Sequence, residues 1–273
     1  MNYKTRNNLT GPVSVLRDRA RFPNIPSTLV DYVERLRQRG RTNRLLDALG
    51  ADPEKTCGAI DAMFRTAASA TRLHPNEILR RTDFHYRDID PTRLEAAFAE
   101  VRGINWLHHQ GFVEIEPLAM SSSRSADIIA ILHGDIYAVE IANSIYEATG
   151  RILPKDLSRW LIGRVRGEKK THQLESTSKQ AGCTKRMIIG VVDSYGPVVW
   201  DTYQEFSAAA KLAWQELGTD PDLHVSFVTG REALGYGLDD AVYPQLCNRL
   251  GRKRSGGHPV GSDLNIDIQI DYL

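Results

Sequence analysis

Two carboxylates stand among hydrophobic residues in the segment SADIIAILHGDIYAVEIAN, residues 125–143. Asp127 comes directly before one apolar run, Glu140 lies inside the next, and a Gly-Asp pair separates the two runs. Ionised carboxylates that lie close together repel each other and are costly to remove from water. A divalent cation offsets both costs, and Mg²⁺ prefers hard oxygen ligands of this kind. An ion held in this way can activate a water molecule and offset the charge on a phosphate.

The two apolar runs predict a β-hairpin that brings these carboxylates to one face of a sheet. If Gly134-Asp135 form a two-residue turn, Asp127 lies opposite Ala142 and Glu140 lies opposite Ile129. Asp127 and Glu140 are then diagonal neighbours at about 7–8 Å, close enough to share one ion. A three-residue turn would instead place them on opposite faces. The alternative interpretation is that both carboxylates lie at strand ends and make local hydrogen bonds or ion pairs.

The surrounding pattern predicts the elements that must position this pair. A helix begins with Asp90 as N-cap and Pro91 at the first helical position, and it runs toward Gly111. Apolar periodicity then predicts strands over 112–120, 126–132, 136–143, 186–193 and 224–229, with helices over about 154–180 and 202–217. This order predicts an α/β domain with a mixed sheet over 90–273. An all-helical N-terminal lobe precedes it over 1–89, with short helices over 27–49, 53–70 and 74–82.

This order of elements resembles the PD-(D/E)XK nuclease superfamily, which has the restriction-endonuclease-like fold: a mixed sheet flanked by helices. The resemblance covers residues 90–229 and rests on Glu100 in the preceding helix, Asp127 at the first strand and Glu140 in the second. It implies that these three acids bind Mg²⁺, or Mn²⁺ in its place. It also implies that the protein is a metal-dependent endonuclease that hydrolyses DNA phosphodiester bonds, a chemistry that bacteria use in restriction and anti-phage defence.

The chain departs from the family pattern at the position of its lysine. The family has a Lys two residues after the Glu, where it orients the attacking water, but this chain has Ala142 there. Either the following helix supplies the amine or catalysis has been lost. Lys169 shares a helical face with Gln173 and Thr177, and the pair Lys169–Gln173 resembles a helix glutamine of one branch of the superfamily. Lys170 points about 100° away. We predict that Lys169 or Lys170 replaces the missing amine; the alternative is a solvated basic surface that touches phosphates only.

Charge is strongly segregated along the chain, although the net charge is only +1. Residues 1–45 and 151–186 each contain ten basic and three acidic residues, and the other segments are acidic. Two such stretches predict a polyanionic partner, which the resemblance implies is DNA, although solvated helix faces would also account for them. The residues predicted to contact phosphates are Arg159, Arg164 and Arg166, together with Arg252, Lys253 and Arg254 in a Gly-rich loop.

The C-terminal segment DLNIDIQIDYL, residues 263–273, alternates strictly between apolar and polar positions. It predicts a strand that either completes the sheet or pairs across a two-fold axis in a homodimer. No run is long enough for a membrane span, and the N-terminus lacks an apolar signal core, so we expect a cytoplasmic protein. Cys57, Cys183 and Cys247 show no metal-ligand spacing and are predicted to be reduced thiols.

Two other functions remain open from the sequence. A catalytically inactive nuclease-fold protein would keep the fold without the lysine. It would act as a nucleic-acid-binding or scaffold subunit of a larger defence or repair complex. A helical transcription regulator with an α/β ligand sensor would rest on the N-terminal helices alone. That class predicts sequence-specific duplex binding without a metal.

Overall fold

The computed structural model describes residues 10–82, 84–87, 89–119, 125–147, 154–195, 203–217, 223–229 and 246–247 of the 273-residue chain. Across these ranges the protein has a mixed β-sheet with helices packed on both faces. The predicted α/β class with a mixed, helix-flanked sheet is therefore confirmed. The predicted C-terminal strand over 263–273 and the loop with Arg252, Lys253 and Arg254 lie outside the described residues.

The first part of the chain folds into helices that begin at suitable capping residues. Asn43 and Asp52 each accept a hydrogen bond from the backbone N–H three residues later. The helix predicted from Asp90 and Pro91 is confirmed, with Asp90 as its N-cap. The stretch predicted as helical over 27–49 divides into α2 and α3. The bounds are α1 Thr10–Leu16, α2 Ser27–Gln38, α3 Arg44–Ala51, α4 Pro53–Thr71, α5 Pro75–Arg81 and α6 Pro91–His109.

The strands lie in the sheet in the same order as in the sequence. The first three pair antiparallel, the third, fourth and fifth pair parallel, and the short sixth pairs antiparallel to the fifth. Their bounds are β1 Val113–Pro117, β2 Ile128–Leu132, β3 Asp135–Glu147, β4 Lys185–Tyr195, β5 Leu223–Thr229 and β6 Leu246–Cys247. The helices that accompany the parallel strands are α7 Pro154–Val165, α8 Glu168–Ala181 and α9 Tyr203–Leu217.

The single basic helix predicted over about 154–180 is wrong, because the chain breaks it into α7 and α8. Arg166 and Gly167 lie between the two, and Gly167 has an extended backbone at φ −159°. Both helices lie against β3 and β4, and α7 in addition packs closely with α9. Glycine weakens a helix interior by only about 1 kcal/mol, so tertiary packing contributes to the break.

The predicted turn at Gly134-Asp135 is also wrong. The turn residues are His133 and Gly134, with φ of 53° and 87°, as a type I′ turn requires. Asp135 instead begins β3, and its carboxylate accepts a hydrogen bond from Oγ1 of Thr184 at 3.1 Å. Leu132 therefore pairs with Asp135. The predicted pairs of residue 127 with 142 and of residue 140 with 129 do not form.

The sheet has a different hydrophobic core on each face. One face, with Val139 and Ile141, packs against α6 and the other N-terminal helices. This core continues from α1–α4 into the sheet, across the predicted boundary at residue 89. The opposite face, with Ala138, Ala142 and Ile188, packs against α7, α8 and α9.

The thiols of Cys57 and Cys183 are both free, as the sequence predicts. Burial raises the pKa of the Cys57 thiol to about 12, so this thiol is protonated and unreactive at neutral pH. None of the helices within the described ranges combines the length and apolar character that a membrane span needs.

Candidate active site

Asp127 lies at the entrance of β2, beside the middle of β3. The pairing of β2 with β3 ends at Ile128 and Val139, and Asp127 directly precedes it. The backbone N–H of Asp127 donates to the carbonyl of Val139 at 3.0 Å. Its Oδ2 accepts a hydrogen bond from the backbone N–H of Ile141 at 2.6 Å. This bond holds the carboxylate against β3, beside the residue that follows Glu140.

Glu140 points to the face of the sheet that α7 and α8 cover. It pairs with Ile188 of β4, whose side chain belongs to the core on that face. The Glu140 side chain is only 6% exposed, and its Oε1 lies 3.1 Å from Nζ of Lys170. The same Nζ lies 3.5 Å from the backbone carbonyl of Ile141. A buried carboxylate is strongly destabilising without such a partner, so Lys170 makes the position of Glu140 tenable.

Helix α8 also holds the segment that leads into Asp127. Nε2 of Gln173 donates to the carbonyl of Ser125 at 3.0 Å. Oγ1 of Thr177 accepts a hydrogen bond from the backbone N–H of Ala126 at 2.7 Å, and Thr177 is buried. These two bonds fix the two residues before Asp127. We call Lys170, Gln173, Leu174 and Thr177 the α8 site face.

The α8 site face differs from the face predicted from the sequence. The prediction grouped Lys169 with Gln173 and Thr177 and directed Lys170 elsewhere. The structure groups Lys170 with Gln173 and Thr177, and the side chain of Lys169 lies outside the described part of the chain. Leu174 gives the signal that was missed. It is the large apolar residue of α8 and is buried, and residues 170, 173 and 177 lie next to it at helical spacing.

The donor set fits a divalent ion. The carboxylate of Asp127 is bonded to the backbone of Ile141, the residue after Glu140, and the Glu140 carboxylate contacts the ammonium of Lys170. Carboxylate oxygens are the hard ligands that Mg²⁺ prefers, and Mg²⁺ is commonly held by one or two carboxylates with water completing its shell. The described residues contain no cluster of three or more His, Cys, Asp or Glu side chains placed to hold a metal. The candidate centre is therefore a two-carboxylate site.

Glu100 is not brought into a three-acid cluster with Asp127 and Glu140. It lies on α6, which packs on the face of the sheet opposite to Glu140. The close approach of α6 to that face is visible at Gly103, where a Cβ would lie 2.5 Å from Cδ1 of Ile141. Glu100 itself is half-buried. Its contribution to the site through a bridging water or a second ion stays a prediction.

Residue 142, where the resemblance leads us to expect a lysine, is closely packed. Ala142 is 1% exposed and lies in the core with α7. Its neighbour on β4 is Gly190, where a Cβ would lie 2.9 Å from Cδ1 of Phe227. A lysine at 142 would bring its long side chain and charge among apolar groups. The sheet can therefore accept an amine from α8 more easily than from β3 itself.

The basic residues predicted to contact phosphates lie in and just after α7. Arg159, Arg164 and Arg166 are all exposed. Arg159 is 3.4 Å from Asp156, and the guanidinium carbon of Arg164 lies 4.9 Å from the ring centroid of Trp160. Both contacts are at the surface and are worth little to stability. These arginines are therefore accessible to a ligand, and DNA contact stays a prediction.

In comparisons with known proteins, no protein-family model, no curated protein and no solved structure matches this chain. Its function is accordingly inferred from the residues and geometry of the site.

Proposed function

We propose that the protein is a divalent-metal-dependent endonuclease that hydrolyses DNA phosphodiester bonds, built on a restriction-endonuclease-like core. One observation supports this most: the ammonium of Lys170 reaches Glu140, and the N–H of the next residue, Ile141, holds the carboxylate of Asp127. Two acids and one amine are the groups that this chemistry needs, and here the amine comes from α8. Lys170 thus offers the ammonium group that Ala142 cannot supply. A role in restriction or anti-phage defence is part of the proposal only through the resemblance.

In the proposed mechanism, Asp127 and Glu140 hold Mg²⁺ or Mn²⁺. When bound, the ion supplies Lewis-acid activation of a water and neutralises phosphate charge. The N–H of Ile141 orients Asp127. Lys170 donates hydrogen bonds to the attacking water and to the anionic phosphate, where charge grows in the transition state. Gln173 acts through the backbone of residue 125, so it is a positioning residue.

The test is cleavage of supercoiled plasmid with Mg²⁺ or Mn²⁺. Asp127→Asn, Glu140→Gln and Lys170→Gln are each expected to lower the rate by roughly 10²-fold or more. Lys170→Arg keeps the charge but moves the donors, so it should retain part of the activity. Lys179→Gln is the matched control, because Lys179 is an exposed lysine of the same helix. Wild-type rates in Lys170→Gln would remove Lys170 from the mechanism.

A second function is a non-catalytic nucleic-acid-binding subunit. One observation favours it: both carboxylates already have protein partners, the N–H of Ile141 and the ammonium of Lys170. They could therefore be structural. This function predicts that wild type and Asp127→Asn/Glu140→Gln bind DNA equally and that neither cleaves it. Cleavage by wild type alone would exclude it.

A further inference from the structure

The N-terminal lobe contains two adjoining clefts that share Tyr86 as a wall. One has a volume of about 510 Å³ and lies along α2, with Arg35 and Arg39 in its lining. The other has a volume of about 470 Å³ and includes Arg80 and His85. Both volumes fall within the range of roughly 300–1,000 Å³ that small-ligand sites occupy. We call this pair the Tyr86 cleft. Its lining includes no residue of β2, β3 or α8.

An aromatic stack divides the two clefts. The ring of His85 stacks on that of Tyr86, with centroids 5.1 Å apart and planes 23° apart. His85 is exposed and Tyr86 is half-buried. Tyr86 packs against the N-terminal core, and the stack presents the exposed ring of His85 to solvent. Nucleobases stack on such surfaces whatever their identity.

Guanidinium groups surround the same stack. The guanidinium carbons of Arg35 and Arg87 lie 5.9 and 5.5 Å from the Tyr86 ring centroid. Nε of Arg87 also donates to the Tyr86 hydroxyl at 3.1 Å. This bond orients the ring, and Arg39 adds a further exposed cation in the first cleft. A planar guanidinium with several donors matches the geometry of a phosphate.

Three carboxylates, those of Asp31, Glu34 and Glu77, also line the two clefts. Arginines bind two of them, and Asp31 remains against the guanidinium groups of Arg35, Arg39 and Arg87. Glu34 forms an ion pair with Arg17. Glu77 binds both Arg80 and Arg81, and these hydrogen bonds lower the pKa of its carboxyl to about 2. Glu77 is thus ionised at neutral pH, but two cations lie against it. The charge that remains around the aromatic stack favours an anionic ligand.

We propose that the Tyr86 cleft binds a nucleotide unit, with its base stacked on the His85–Tyr86 pair and its phosphate held by Arg35 and Arg87. A mononucleotide and a nucleotide within a single strand offer the same chemistry. The proposal goes beyond phosphodiester hydrolysis and does not depend on it, because it uses none of the residues at the candidate active site.

The test uses the full chain in EDTA, so that hydrolysis cannot interfere. The probes are a fluorescein-labelled oligothymidylate, followed by anisotropy, and adenosine monophosphate, followed by calorimetry. Tyr86→Leu and His85→Ala are each expected to weaken binding roughly tenfold, because base–aromatic stacking is removed. Tyr86→Phe keeps the ring and should bind within about twofold of wild type. His85 is exposed, so its variant remains informative if Tyr86→Leu loses stability.

The outcomes separate the two ligand sources and the two proposals. Binding of adenosine monophosphate that needs His85 and Tyr86 supports a free-nucleotide site, whereas binding of the oligonucleotide alone supports a single-strand site. Asp127→Asn/Glu140→Gln should bind both probes like wild type, so loss of cleavage leaves this proposal standing. Equal affinities in wild type, Tyr86→Leu and His85→Ala would overturn it. Failure to bind either probe would also overturn it.

Discussion

Ala142 and Lys170 together explain how the buried carboxylate of Glu140 has an amine beside it. Ala142 is closed in by α7 and by the neighbouring strand, where even a methyl group at Gly190 would meet the ring of Phe227. Lys170 approaches from α8, and its side chain is 25% exposed. It therefore keeps part of its hydration while it contacts Glu140, which lowers the cost of placing a charge there.

This arrangement predicts that a lysine at residue 142 would destabilise the protein. Ala142→Lys is expected to lower the free energy of unfolding by roughly 3–5 kcal/mol, because it leaves an uncompensated buried charge. Chemical denaturation measures the effect, and Ala142→Met, which has a similar length and no charge, separates size from charge. An Ala142→Lys variant that is as stable as Ala142→Met and cleaves faster than wild type would contradict this account. It would show that residue 142 can hold the amine that acts in cleavage.

The sequence misplaced the turn, but the shared face expected for Asp127 and Glu140 does not depend on that error. Moving a two-residue turn by one position changes each pairing by two residues, so the side chains keep their faces. The choice between Lys169 and Lys170 was harder. Helical spacing relates residues to one another, but only a buried reference such as Leu174 shows which face meets the sheet.

At the scale of elements, α8 contacts both segments that carry the candidate carboxylates. Lys170 contacts Glu140 of β3, while Gln173 and Thr177 bond the backbone just before β2. One helix therefore fixes both carboxylate-bearing segments relative to each other. A small movement of α8 would displace Asp127 and Glu140 together.

Thr177→Val tests whether α8 positions Asp127. Removing the hydroxyl leaves the buried N–H of Ala126 without its acceptor, which should cost about 1–3 kcal/mol of stability. We also expect cleavage to fall at temperatures where the variant is fully folded, because Asp127 loses its support. Thr177→Ser keeps the hydroxyl and is the matched control. Full activity in folded Thr177→Val would mean that α8 does not position Asp127.

The division between α7 and α8 was beyond sequence reasoning for a physical reason. Both segments have helical pattern and basic composition, and Gly167 is a weak signal by itself. The break also depends on tertiary packing, since both helices contact the parallel strands and α7 packs with α9 as well. By contrast, Asp90 and Pro91 define the start of α6 locally, and that start was predicted correctly.

At the scale of the whole molecule, the basic stretch 151–186 contains exposed arginines that lie shortly before α8 in the sequence. Arg159, Arg164 and Arg166 precede α8, and each is exposed. A protein that neutralises phosphates releases counterions, so its affinity for DNA falls as salt rises. These residues should therefore control salt dependence more than sequence preference.

Replacing Arg159, Arg164 and Arg166 together by Gln should weaken DNA binding at every sequence. The slope of log affinity against log salt should become shallower by about one for each phosphate that is no longer neutralised. Anisotropy with labelled duplex across a salt series measures both. The charge-matched control replaces Lys55, Arg65 and Arg72, basic residues within or directly after α4. Equal slopes in the two triple variants would contradict a role for the α7 arginines.

The α/β class followed from the order of apolar segments, because strand and helix periods differ clearly from Phe112 to Thr229. The sequence did not predict that the N-terminal helices share a core with the sheet. Helical periodicity shows that a face is apolar, but it does not show what that face packs against. The Tyr86 cleft was missed for the same reason, since it brings residues of α2 and α5 to the segment 84–87.

The central claim is that Asp127 and Glu140 together bind a divalent ion, and calorimetric titration with Mn²⁺ tests it most directly. Wild type should bind Mn²⁺, and Asp127→Asn and Glu140→Gln should each weaken binding at least tenfold, since each removes one of two charged ligands. Glu216→Gln removes an exposed carboxylate of α9 and should bind like wild type. No Mn²⁺ uptake by wild type at millimolar concentration, or one shared affinity across all four proteins, would contradict the claim.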